Sequence, residues 1–122
     1  MMDVIFSILE NAIVNYTVGG EIPERNGNID PSISPFDVYN CKAGFVAIGV
    51  GNDRLFDKFC KTMNREDLLE DPRFATNDLR QSNYIPDLKG AIQDYCGKYT
   101  KKELEMIMDE AHLYHARVWN MI

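Results

Sequence analysis

The chain has 122 residues, 45% of them hydrophobic and 26% charged, the composition of one folded domain and not of a disordered segment. Thirteen Lys and Arg against nineteen Asp and Glu give a net charge of −6, and no basic stripe runs among the aromatics, so nucleic acid is excluded as a partner. Met1 to Glu10 holds acidic residues and no basic one, the wrong sign for a secretory leader, and the uncharged run from Asn11 to Gly20 is too short to span a bilayer.

From Asp3 to Val18, apolar Ile5, Ile8, Leu9, Ala12, Ile13 and Tyr16 recur at helical spacing, and Gly19-Gly20 supplies the left-handed stop. Glu21 to Pro35, with Pro23, Pro31 and Pro35 and a run of Asn and Asp around Gly27, predicts a long loop, a length that in compact domains marks function or disorder. Phe36 to Cys41 and Phe45 to Val50 then form a β-hairpin around Gly44. Asn52 caps a helix whose stripe is Leu55, Phe56, Phe59, Cys60 and Met63, and Asn64 caps a short helix through Leu69. Asp71-Pro72 breaks the chain. A further helix, starting at Asn77 or Tyr84, runs to Tyr99 with Ile85, Leu88, Ile92, Tyr95 and Tyr99 on one face. Thr100 and Glu103 make a capping box for the last helix, which packs through Leu104, Ile107, Met108 and Ala111.

The fold class is therefore α+β: a long N-terminal helix, a β-hairpin, and three to four helices packed on it. We divide the chain into a helix over 1–18, a linker and loop over 19–35, and a small α/β unit over 36–122. Two strands alone make a marginal sheet, so further strands are expected from chain outside this sequence.

The residues that carry chemistry are few. His112 and His115 with Asp109 would need a fourth ligand for a structural metal site, and none stands nearby, so no metal centre is expected. Cys41, Cys60 and Cys96 are an odd number without a C-x-x-C, which predicts free thiols in a reducing cytoplasm. Cys60 and Cys96 lie on apolar stripes; Lys42 beside Cys41 would favour its thiolate slightly, but no histidine base accompanies any of them. Gly49-Val50-Gly51 lacks the third glycine of a phosphate-binding turn and reads as a tight strand-to-helix connection. Arg65, Glu66, Asp67, Glu70, Asp71 and Arg73 make a solvated charged face. The segment Arg25 to Pro31 is singled out: a glycine between two amides, with an arginine and a carboxylate close by, offers N–H groups and a cation to an anionic or carbonyl ligand. The same composition also fits an ordered turn held by Asn side chains.

Taken in order, R-N-G-N-I-D-P-S-I-S-P-F-D-V-Y from Arg25, A-G-F-V-A-I-G-V-G-N-D-R-L-F from Ala43, and D-P-R-F-A-T-N-D-L-R-Q-S-N from Asp71 resemble the later part of family III CoA-transferases. Arg25, Gly27, Asn28, Pro31, Pro35, Phe36, Gly44, Asn52, Asp71, Pro72, Arg73, Phe74, Thr76 and Arg80 fall on the family pattern. Asp30 stands where many members carry histidine, and Leu113-Tyr114 where isoleucine-proline is usual.

The resemblance implies a fragment similar to the family's small domain, in an enzyme that moves CoA between carboxylic acids through aspartyl anhydride and thioester intermediates. It implies substrate-binding roles for Arg25, Gly27, Asn28 and Asp30 in one wall of the acyl pocket. The helix from Asp3 to Val18 would pack on the large domain. The nucleophilic aspartate is expected upstream of Met1, so this chain carries no catalytic residue and should be inactive alone. No cofactor is implied, coenzyme A being a substrate of the full-length enzyme. A racemase parent, or a non-catalytic interaction module, stays open at this point. With the large-domain cover absent, the apolar helix predicts a homo-oligomer.

Overall fold

The computed structural model describes residues 1–119; the end of the expected 36–122 unit, residues 120–122, lies outside the described residues. The N-terminal helix forms as two helices, α1 (Met2–Ile8) and α2 (Glu10–Gly19), where the sequence predicts one. The break is at Leu9, whose ψ of 29 turns the backbone out of helical geometry and whose N–H bonds to Phe6 in place of the residue one turn back. Gly20, at φ 70, ends α2 in the left-handed conformation that glycine adopts without a Cβ penalty. None of the residues of α1 is buried.

The hairpin pairs β1 (Phe36–Cys41) with β2 (Gly44–Gly49), antiparallel, with Phe36 opposite Gly49 and Tyr39 opposite Val46. The third strand comes from within this chain: β3 (Tyr114–Arg117) pairs antiparallel with β2, placing His115 opposite Ile48. The sheet order is β1-β2-β3. Because side chains alternate across a strand, Asp37, Tyr39, Val46 and Ile48 share the buried face, while Phe36 and Phe45 stand on the exposed one.

Helices cover that buried face. In α3 (Asp53–Thr62), Asn52 caps the N-terminus by accepting from the Leu55 N–H at 2.9 Å, and Phe56, Phe59 and Cys60 enter the core. Asn64 does not cap the next helix: it takes a left-handed turn at φ 53 just beyond α3, and α4 (Asp67–Glu70) has Glu66 at its N-cap position with no side-chain cap bond. Asp71 instead receives the Arg73 N–H and starts a single 3₁₀ turn over Pro72–Phe74. The expected helix to Tyr99 is interrupted. Thr76 caps α5 (Asn77–Ser82); a π turn over Tyr84–Leu88 follows, and α6 (Lys89–Cys96) resumes. Pro86 drives Ile85 to φ −107 and ψ 128, so Ile85 leaves the apolar face and is 63% exposed. The Thr100–Glu103 capping box opens α7 (Lys101–Glu110), which buries Leu104 and Met108 against the sheet. The core thus lies between one face of a three-stranded sheet and α3, α6 and α7.

Candidate functional site

The loop between α2 and β1 is ordered by its own short polar side chains. Gly27 sits at φ 68 with no atom within 4 Å of a Cβ position, so backbone conformation, not crowding, calls for glycine there. The Asn26 Nδ2 donates to the Ile29 carbonyl at 2.6 Å, closing the turn around Gly27. Asp30 Oδ1 accepts from the Ser32 and Ile33 N–H groups at 2.7 and 3.0 Å, an Asx turn, and the Asp30 N–H donates to the Phe36 carbonyl at 3.0 Å. Asn26 and Asp30 therefore hold the turn. Among the described residues, Arg25 and Asn28 carry no side-chain hydrogen bond or ion pair and remain available.

A cavity of about 750 Å³ lies between this loop and the N-terminal helices. Gly27, Asn28 and Asp30 line it from the loop, Leu9 and Asn15 from the helices. Of the four residues singled out in sequence, Arg25 alone is outside the wall; it is exposed on the adjoining backbone. The wall mixes apolar surface with amide groups and includes Glu21 and Glu24, so it disfavours multiply charged phosphates. Across the same loop a second cavity of about 410 Å³ is shared by Asn26, Ile29 and Asp30 and backed by Gln81 and Tyr84.

Sequence reading missed what supports the loop from below. Arg80, Asn77 and Gln81 of α5 bond to its backbone across long sequence separations, and the Val50 N–H donates to the Pro35 carbonyl at 2.9 Å. Gly49-Val50-Gly51 is thereby a connection stitched to the loop. It also missed a buried polar cluster. Asp37, 3% exposed, accepts from Lys89 Nζ at 2.7 Å and from the Tyr84 hydroxyl at 3.0 Å, and Tyr84 meets the Tyr39 hydroxyl at 2.6 Å. Burial pushes both tyrosines well above their ordinary pKa, as expected for phenols kept neutral in the core.

The remaining candidates disperse. His112 occupies a positive-φ turn and His115 lies on β3, its Nε2 3.7 Å from Asp109; among the described residues no group of three His, Cys, Asp or Glu side chains gathers as a metal site would. Cys41 differs from the expectation of a favoured thiolate. Burial raises its pKa and outweighs the opposing charge of Lys101. Burial also pushes Cys60 and Cys96 up to about 12. At pH 8 we expect Cys60 and Cys96 to resist a disulfide thiol reagent in the folded chain and to react at once in denaturant. Rapid labelling of either in the native state would contradict the packing. The charged face reads as largely exposed ion pairs, Arg65 with Asp67 and Arg73 with Asp71 and Asp87, whose attraction is screened by solvent. Among the described residues no helix is long and apolar enough to cross a membrane.

The chain matches the sequence profile of CoA-transferase family III over residues 1–121. It is 31% identical over 116 residues to the succinyl-CoA–D-citramalate CoA-transferase of Chloroflexus aurantiacus, a match covering 94% of this chain and 29% of that protein. It is 33% identical over 104 residues to the succinate–glutarate CoA-transferase of Agrobacterium fabrum, covering 85% of this chain and 26% of that protein. Among solved structures, a CAIB/BAIF family protein from Brucella suis superposes with a TM-score of 0.79 at 26% identity, over 93% of this chain and 30% of that one. The chain spans less than a third of the length of the curated relatives it matches. With the motifs from Arg25 to Arg80 in order and the profile matched almost end to end, the chain belongs to CoA-transferase family III.

Proposed function

We propose that this chain is the small-domain portion of a CoA-transferase that moves CoA between carboxylic acids, and that Gly27, Asn28 and Asp30 form one wall of its acyl pocket. The observation that carries this reading is the cavity itself. In a chain of this family, the loop positions singled out by the motif line a space of about 750 Å³ and leave the Asn28 amide without a partner. An acyl group of a few carbons fits the apolar part of the wall, and Asn28 offers donors to its oxygens. Arg25, free on the adjoining backbone, gives the far carboxylate of a dicarboxylic acid a cation. The two curated relatives described above are named for transfers involving succinate, citramalate and glutarate, so we assign small dicarboxylic acids as the substrate class.

In such a reaction a carboxylate nucleophile attacks the thioester and the acyl group is held as an anhydride while CoA leaves, which divides one hard exchange into easier acyl steps. We assign that nucleophile to chain other than this one. Here the loop orients the acyl group and excludes water. We further propose that the exposed face of α1 and α2 makes the chain a homo-oligomer when it is present alone.

Titration of isotope-labelled chain with succinyl-CoA, followed by amide NMR, tests the assignment. We expect a dissociation constant in the millimolar range or weaker, roughly −4 kcal/mol, with shifts concentrated at Gly27, Asn28 and Asp30. The net charge of −6 is the reason for weakness. A micromolar constant at moderate salt, or shifts centred on α7, would contradict it.

A further inference from the structure

Helix α5 is only six residues long, yet one of its faces bonds to the backbone of three loop residues, Pro31, Ser32 and Ser34. Asn77, Arg80 and Gln81 stand at i, i+3 and i+4, the spacing that aligns side chains on one side of a helix. Gln81 Nε2 donates to the Pro31 carbonyl at 2.8 Å, and Asn77 Nδ2 donates to the Ser32 carbonyl at 2.9 Å. Asn77 Oδ1 accepts from the Ser34 N–H at 3.0 Å, and Arg80 Nε donates to the Ser34 carbonyl at 2.9 Å.

The guanidinium of Arg80 is fixed from every other side. Its Nη1 donates to the Phe74 carbonyl at 3.1 Å and its Nη2 to Asp53 at 2.6 Å, and its Cζ lies 4.5 Å from the centre of the Phe56 ring. Arg80 is 1% exposed, whereas the side chain of Asp53 is 74% exposed, so the buried cation faces carbonyls more than a buried counter-charge. Burying a guanidinium is unfavourable unless its donors are filled, and an apolar side chain of similar volume would fill the space without that desolvation. What the planar fork supplies is direction: it holds two backbone carbonyls at fixed angles.

From Ser32 and Ile33 the constraint passes to Asp30 through the Asx turn, and so to the wall residues before it. We infer that Asn77, Arg80 and Gln81 are positioning residues that set the placement of the loop and hence of Gly27, Asn28 and Asp30 in the cavity wall. The relevance of that placement to catalysis rests on the pocket reading above; the placement itself does not.

Amide hydrogen exchange on the full 122-residue chain tests it. Asp30, Ser32 and Ile33 are the reporters, because none of their N–H groups bonds to α5. In the Asn77→Ala, Gln81→Ala double variant, and separately in Arg80→Lys, these amides should exchange about tenfold faster or more, while those of Phe59, Ile92 and Leu104 stay within about twofold. Asn77→Asp, which keeps the acceptor for the Ser34 N–H, should restore part of the protection relative to Asn77→Ala. Unchanged rates at Asp30, Ser32 and Ile33 in the double variant would overturn the inference, since the Asx turn would then hold the loop unaided. Equal acceleration across α3 and α6 would overturn it too, because the three residues would then only be stabilising the fold. If the succinyl-CoA titration fails to mark the loop while these exchange changes appear, the pocket reading falls and the positioning role stands.

Discussion

Incubated with succinyl-CoA and glutarate, the chain on its own is expected to form no glutaryl-CoA above a heat-killed control. The covalent route needs a carboxylate or thiolate free to attack a thioester beside groups that stabilise the oxyanion. Asp30 is in the cavity wall, but its Oδ1 is occupied by two backbone N–H groups and serves the turn. Glu21 and Glu24 line the cavity from an exposed stretch of loop, and nothing in the described structure pairs them with a fixed donor. The thiols of Cys60 and Cys96 are held protonated by burial. Removing a nucleophile from an enzyme that depends on one lowers turnover by roughly a millionfold, which places any residual rate below detection. Turnover that survives repurification and disappears in Asp30→Asn would show that the chain supplies its own nucleophile.

The second large effect is on association. Val4, Ile5, Phe6, Ile8 and Leu9 are all substantially exposed, and Val14, Tyr16 and Val18 extend the apolar surface along α2. Nor does α1 fold back on the hairpin to bury the Ile5–Leu9 stripe internally, since it contributes no buried residue. Each such side chain left in water is disfavoured by about 1.5–3 kcal/mol relative to full burial, and a contiguous patch of this kind draws a partner. We expect a homodimer or larger assembly at micromolar concentration, the helices of one protomer covering those of the next. Replacing Ile5 with Glu and Leu9 with Lys should weaken it about a thousandfold or more, with the core spectroscopically unchanged. Sedimentation reads both results. A wild-type chain that sediments as a monomer across the micromolar range would refute the prediction.

Local signals were legible where one residue type has one physical use. Asn52 and the Thr100–Glu103 pair cap the helices they precede, Gly20 stops α2, and the hairpin follows the two apolar runs around Gly44. Pro86 carried a legible break that the apolar spacing of Ile85, Leu88 and Ile92 overrode in the sequence reading. The bend at Leu9 has no glycine or proline to announce it. The third strand is four residues long and exists by pairing with β2 from the far end of the chain, which no local pattern encodes. At the site, the motif led to Gly27, Asn28 and Asp30, but Arg25 lies beside the wall and not in it. The support beneath the loop was invisible for the same reason as β3: Asn77 and Gln81 reach backbone groups more than forty residues earlier, and each is an unremarkable polar residue within its own helix.

The most direct measurement of the central claim is a chimera. In the succinyl-CoA–D-citramalate CoA-transferase of Chloroflexus aurantiacus, the 116 matching residues would be replaced by those of this chain. If the chain is the pocket-wall portion of a CoA-transferase, the folded chimera transfers CoA from succinyl-CoA to D-citramalate. Asn28→Ala within it raises KM for the acceptor about tenfold, the loss of one hydrogen-bonded contact to a charged acid. A chimera that folds and assembles yet transfers no CoA, or one indifferent to both Asn28→Ala and Arg25→Ala, would contradict the account.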